Sequence, residues 1–237
     1  MRHSITIYFL SIILISSCRS SRITNDSRGY YDTGELRYEY SMSNGNREGI
    51  TKEFYKNGKL KSEWNYKNKR LDGESVQHEL DGSLTKWIYS SDTIIEGSTF
   101  TSNGLLIARY NYKNGVLDGK SYRYYETGEV ETIWIYEKGN LIEGKGYYKS
   151  GELKFEYKYL NGIPEGITIE YDMNGKILRE YLYKNGTLNG ITKEYYSDGS
   201  LKYEWKYQNG KLNGETKEYF ENGNIKNIWK YRNDKLL

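Results

Sequence analysis

Glycine returns along this chain with a period that leaves little choice of architecture. In turn-like settings it stands at Gly34, Gly58, Gly82, Gly104, Gly128, Gly151, Gly175, Gly199 and Gly223, in steps of 22 to 24 residues. A second series interleaves: Gly49, Gly73, Gly97, Gly119, Gly144, Gly166, Gly190 and Gly214. A fixed period of this length marks a stacked repeat, in which each unit buries its apolar surface only against its neighbours. Many of these glycines follow Asn or Asp, dipeptides that favour the positive φ angles of primed hairpin turns.

Between the turns run five to eight residues of extended pattern. Leu201-Lys202-Tyr203-Glu204-Trp205-Lys206-Tyr207 alternates apolar and charged residues with period two, the mark of a half-buried strand. Two strands per unit give about eighteen in all. Two residues after the first glycine stands an aliphatic column from Leu36 to Ile225. Six after it come Tyr40, Trp64, Ile88, Tyr110, Trp134, Tyr157, Tyr181, Trp205 and Trp229. Eight after it come Met42, Tyr66, Ser90, Tyr112, Tyr136, Tyr159, Tyr183, Tyr207 and Tyr231. Equal parity puts these three columns on one face. Four residues before the glycine lies a further ladder: Tyr30, Phe54, His78, Phe100, Tyr124, Tyr147, Tyr171, Tyr195 and Tyr219. Gly97 to Gly104 and Gly144 to Gly151 are two residues shorter than the usual nine. An even deletion keeps side chains on their own faces, and an extra residue between Gly139 and Gly144 falls in a turn. The expected fold is all-β: an elongated, twisted, single antiparallel sheet of about nine hairpin units, with one aromatic and one charged face.

Composition agrees with a sheet that is largely in water. Aromatic residues make up 16% of the 237, 27 of them tyrosine, and there is one proline. That mixture suits a pleated surface and not a disordered chain. Lys and Arg number 35 against 32 Asp and Glu, and they alternate, so the clustered positive charge of a nucleic-acid footprint is missing.

The N-terminus has a different character. Met1-Arg2-His3 precedes an apolar run from Ile5 to Ile15, too short to span a bilayer and of the length of a signal-peptide core. Ile15-Ser16-Ser17-Cys18 resembles the bacterial lipobox, which implies cleavage before Cys18 and a lipid on its thiol. Cys18 is the only cysteine. The expected organisation is a lipoprotein signal peptide over residues 1–17, a lipidated cysteine and flexible tether over 18–29, and the repeat domain over 30–237. Arg19, where a retained inner-membrane lipoprotein would carry Asp, points to an envelope location in the outer membrane.

The string from Trp205 to Gly223, with Asn209-Gly210-Lys211-Leu212-Asn213-Gly214, and its counterpart from Tyr181 to Gly199 resemble the MORN repeat, and more closely its bacterial variant form. The resemblance covers about residues 30 to 237. The standard repeat opens with Tyr-x-Gly and has His-Gly in its turn; here Tyr203-Glu204-Trp205 and Asn213-Gly214 or Asp72-Gly73 take those places. With neither the histidine column nor a basic stripe present, the acidic-phospholipid binding of some relatives does not carry over. Relatives of the variant form are often described as antitoxin-like, so the resemblance also implies a toxin-neutralising role.

Catalysis finds no support. His78 is the only histidine beyond the signal segment and occupies a ring column, so it reads as one ring replacing another. Glu63, Glu156, Glu180 and Glu204 share a column and read as a solvated ladder alternating with lysines, not as an acid–base pair. No metal site or cofactor is expected. The surface with functional promise is the ring ladder: Tyr181, Tyr183, Trp205, Tyr207, Trp229 and Tyr231 are the candidate binding face, amphipathic rings suited to gripping a protein segment or a glycan. The expected function is a non-enzymatic, lipid-anchored envelope scaffold that binds a protein or glycan partner, with a toxin-neutralising immunity protein as the alternative.

Overall fold

The computed structural model describes residues 27–43 and 45–237. The segment expected to be a signal peptide, Cys18 and most of the expected tether lie outside the described residues. The first strand is Arg28–Tyr30, so Arg28 and Gly29, read as tether, already pair with Glu39 and Tyr38.

The chain forms one elongated antiparallel sheet in which each long strand pairs with the next in sequence. The same order continues to the last long strand, Ile225–Arg232. Among the described residues the strands of three residues or more number eighteen, as the sequence suggests, and eight two-residue strands accompany them. Two kinds of turn alternate. At Gly58, the N–H donates to Tyr55 O at 2.9 Å and the Tyr55 N–H to Lys59 O at 2.8 Å. The other kind is a two-residue primed turn such as Asn114-Gly115, with φ of 53° and 78°. Both angles lie in the left-handed region, which Gly adopts freely and Asn at small cost.

Two expectations of register need correction. In eight units a register shift falls just before the ring that precedes the turn: Glu53 pairs with Ser62, but Phe54 pairs with Leu60. Alternation is broken there by one extra residue, so parity does not carry from the aliphatic column to the rings. The aliphatic residues pair instead with the ladder four before the glycine, as in Phe54↔Leu60, Tyr147↔Leu153 and Tyr195↔Leu201. Unit three lacks the shift: Gln77↔Thr85 is followed directly by His78↔Leu84. Its rings therefore come one residue early. Trp87 and Tyr89, not Ile88 and Ser90, occupy the ladder, and Ile88 pairs on the opposite face with Glu74.

Gly97 and Gly144 likewise belong to a column other than the one expected. The remaining glycines of the second series have φ between 76° and 121°, whereas these two sit in regular strand opposite Trp87 and Trp134. The short spacing is thus no two-residue deletion. Ile95 and Ile142 stand at simple bulges, between Ile94 and Glu96 and between Leu141 and Glu143, where other units have a longer irregularity. A lost residue is harmless there because the alternation is already interrupted.

Gly144 and Gly146 give a direct test of the packing. A Cβ on Gly144 would lie 2.6 Å from Trp134 Cζ3 and 3.2 Å from Tyr157 Cδ2. On Gly146 the nearest atoms would be 3.6 Å away, on Phe155, an ordinary contact. Gly144→Ala is expected to cost about 1–3 kcal/mol through overpacking, and Gly146→Ala to be neutral or to stabilise by up to about 1 kcal/mol. Urea unfolding followed by circular dichroism reads both; equal losses would contradict the packing.

A candidate binding face of stacked rings

The rings six after the turn glycine, and in unit three Trp87 five after Gly82, have a common seat. Trp64 opposes Thr51, Trp87 opposes Ser75, Trp134 opposes Ser121, Tyr181 opposes Thr168, Trp205 opposes Thr192 and Trp229 opposes Thr216. These Ser and Thr residues are 0–6% exposed. Among the described residues there is therefore no second layer: the interior is a row of small side chains roofed by large rings. Rings stack across units, Trp64 on Trp87 at 6.0 Å, and along strands, Tyr203 on Trp205 at 5.0 Å. Beside them runs the tyrosine column. Burial pushes Tyr112 up to about 12, with Tyr110, Tyr89 and Tyr136 adding to it. It does the same to Tyr159, beside Tyr136 and Tyr183.

All six residues of the expected binding face lie here. Tyr181 and Tyr183, Trp205 and Tyr207, and Trp229 and Tyr231 stand on three strands, Ile177–Lys184, Leu201–Gln208 and Ile225–Arg232. Each is half-buried, so each ring is at once roof and surface. His78 pairs with Leu84 in its ladder, and its Nε2 is buried without a hydrogen-bond partner.

Sequence reading missed the polar groups that frame this face. Glu170 accepts from Tyr181 Oη at 2.8 Å. Glu194 accepts from Arg179 Nε and Lys202 Nζ, each at 2.9 Å. Glu218 accepts from Tyr203 Oη at 3.1 Å, Lys226 Nζ at 2.8 Å and Asn227 Nδ2 at 2.7 Å. The recurring Glu-Tyr dipeptide before the turn (170–171, 194–195, 218–219) was the available signal. A second missed column stands three before the glycine. Tyr31, Tyr55, Tyr125, Tyr148 and Tyr196 donate through their hydroxyls to backbone carbonyls of the following unit: Phe54, His78, Tyr147, Tyr171 and Tyr219, at 2.7–2.9 Å. At the other end of the hairpins, acidic side chains before the second glycine accept from turn N–H groups about twenty residues on. Glu48 binds Asn68 N at 2.8 Å, Asp118 binds Lys138 N at 3.0 Å and Glu165 binds Asn185 N at 2.7 Å. Such bonds contribute about 1 kcal/mol each, and here every one joins two units.

With this geometry in view, the description "MORN repeat variant" matches residues 47–68, 117–138, 164–185, 188–211 and 212–233. Matches to the MORN-variant repeat thus recur across much of the chain. The two adjoining matches at the C-terminal end hold Trp205, Tyr207, Trp229 and Tyr231. The unmatched stretches between them contain the units whose bulges differ in length. No curated protein matches the chain. Among solved structures, a TarM variant of S. aureus in complex with fondaparinux, alpha-GlcNAc-glycerol and UDP is 12% identical, with 46% of this chain and 19% of that chain covered at a TM-score of 0.29. The GtfA/B complex bound to UDP and GlcNAc is 16% identical, with 47% and 22% covered at 0.21. The TcdB2-TccC3-Cdc42 structure is 12% identical, with 87% and 16% covered at 0.16. The chain thus spans less than a quarter of the length of each, and scores this low bring none of their chemistry to this sheet.

Glu194 links the frame to pH. Burial opposes its charge, but the Lys202 and Arg179 hydrogen bonds outweigh burial and hold the carboxyl below the ordinary glutamate value. Its stabilisation is therefore complete above that ordinary range, about 4.3, and is lost as pH falls through the lower folded value. Thermal melts are expected to show the advantage of wild type over Glu194→Gln at pH 7 shrinking below about pH 4.3. An advantage that does not change with pH would contradict the pairing.

Proposed function

We propose that this MORN-variant chain is a non-enzymatic, lipid-anchored scaffold of the bacterial envelope that holds a partner protein against its ring face. The observation that carries the reading is the half-open row of Trp and Tyr rings running the length of the sheet. Monomeric proteins rarely leave so continuous an apolar stripe without a use for it, and Trp, Tyr and Arg supply most of the energy at protein interfaces.

Ring orientation favours a protein over a glycan. A sugar packs on an open ring face, whereas Tyr203 and Trp205 cover one another at 5.0 Å with planes 18° apart. What such a pair offers outward is edges and hydroxyls, suited to aliphatic side chains and backbone groups. A toxin, as antitoxin-like relatives of the repeat would bind, is one partner of this class. The anchor rests on Ile15-Ser16-Ser17-Cys18 and the outer-membrane placement on Arg19.

One experiment tests both halves. Wild type, Cys18→Ala and a Trp205→Ala/Tyr207→Ala/Trp229→Ala variant are expressed with palmitate label, fractionated, and compared for proteins cross-linked at the surface. The expectation is loss of label and membrane partition in Cys18→Ala alone, and loss of cross-linked partner in the ring variant with the β-sheet circular dichroism of the remaining units retained. An unlabelled wild type overturns the anchor; unchanged cross-linking by the ring variant overturns the ring face as a binding surface.

A further inference from the structure

The first unit departs from the repeat at positions that meet in space. Thirteen residues after the turn glycine, other units carry Leu71, Leu117, Leu141, Pro164, Leu188, Leu212 and Leu236, each paired with the tyrosine of the ring ladder. Here the pair is Arg47 with Met42. A leucine has become a guanidinium, and a ring has become a thioether. The primed turn of the following unit departs as well: most units place Gly second in that turn, but Lys69 stands there with φ of 72°, as Asp92 and Asp234 do elsewhere with 68° and 67°. A left-handed lysine is strained, and strain of this kind is kept where something compensates for it.

These replacements open a hollow of about 400 Å³ lined by Tyr40, Met42, Gly45, Asn46, Arg47 and Lys69. The Arg47 guanidinium lies 5.2 Å from the centre of the Tyr40 ring and 5.5 Å from that of Tyr66. Its Nη1 is 3.5 Å from the Tyr66 hydroxyl. The Lys69 N–H donates to the Arg47 carbonyl at 3.2 Å, tying the two cations to one backbone. No described carboxylate lines the hollow, and Glu48 beside it is engaged with the Asn68 N–H at 2.8 Å. Two cations, one oriented between rings and neither ion-paired among the described residues, are an incomplete arrangement.

The geometry points to a carboxylate-binding site between the first and second units, filled by an acidic side chain of an extended peptide segment of the partner. With Nη1 turned to the Tyr66 hydroxyl, the Arg47 guanidinium still offers Nη2 and Nε to a carboxylate, with Lys69 as a second donor. Tyr40 and Met42 supply an apolar wall for the aliphatic part of the segment. Tyr40 and Tyr66 belong to the same ring ladder as the C-terminal rings, so this inference rests on the ring face being a protein-binding surface and adds an anchor at its opposite end.

The test uses a fluorescein-labelled short peptide alternating glutamate and valine, its glutamine counterpart, inorganic phosphate and phosphatidylglycerol vesicles. Arg47→Leu and Lys69→Gly restore the residues usual in other units, so both are expected to fold at least as well as wild type. By fluorescence anisotropy the glutamate peptide is expected to bind wild type, to weaken about ten-fold or more in Arg47→Leu, and to weaken less in Lys69→Gly. The glutamine peptide is expected not to bind. Equal binding of the glutamate peptide by wild type and Arg47→Leu overturns the site. Tighter binding of phosphate, or of vesicles alone, assigns the hollow to a phosphate group and overturns the peptide. Trp205→Ala, far from the hollow, separates the two readings: it is expected to leave peptide affinity unchanged, while the ring face is judged by partner cross-linking.

Discussion

Everything in this sheet depends on a large ring seated over a small residue of the neighbouring strand. A single β-layer has no opposing layer to bury its apolar face against, and an isolated hairpin is at best marginal in water. Here the burial comes from within the layer. Thr192 lies at 4% exposure beneath Trp205, Thr216 at 4% beneath Trp229, and Ser75 at 0% between Trp64 and Trp87. At Gly144 the seat is tightest: a Cβ there would approach Trp134 to 2.6 Å. The other regularities follow from keeping ring and seat in register: turns of fixed type, bulges at fixed places, and length changes confined to those bulges.

Because the rings roof the interior, they are also its surface. Folding and recognition thus draw on the same side chains. The polar frame accordingly ties units to one another as well as closing single hairpins. Tyr196 reaches Tyr219 O, Glu165 reaches Asn185 N, and Glu194 bridges Arg179 to Lys202. A chain whose units meet only their neighbours is a quasi-one-dimensional solid, and each such bond stiffens the row on which rings are displayed.

Much of this was legible in the sequence. The glycine period, the Asn-Gly turns and the alternation in Leu201–Tyr207 yield the antiparallel hairpin sheet, its eighteen long strands and the shared face of Trp205 and Tyr207. Parity counting failed where the backbone itself breaks parity. The extra residue at Leu60-Lys61 leaves no compositional mark, so Leu60 was grouped with Trp64 when it pairs with Phe54. In unit three the missing residue shifts the ring from Ile88 to Trp87, a change visible only when strands are paired. Gly97 and Gly144 looked like turn glycines because a glycine beneath a ring and a glycine at positive φ are the same letter. The inter-unit bonds of Tyr55 and Glu48 were hidden for a related reason: the partner is a backbone atom some twenty residues away, which no residue type announces.

Native-state amide hydrogen exchange on wild type and Trp134→Ala tests the central claim most directly. Trp134 is seated on Ser121 in one neighbouring strand and on Gly144 in the other. If ring and seat hold the sheet together, protection falls in Gly119–Tyr124 and Asn140–Tyr147, on both sides of the missing ring, and persists in the distant Gly214–Tyr219. Protection unchanged in both neighbouring strands, or lost evenly along the whole chain, would contradict the account.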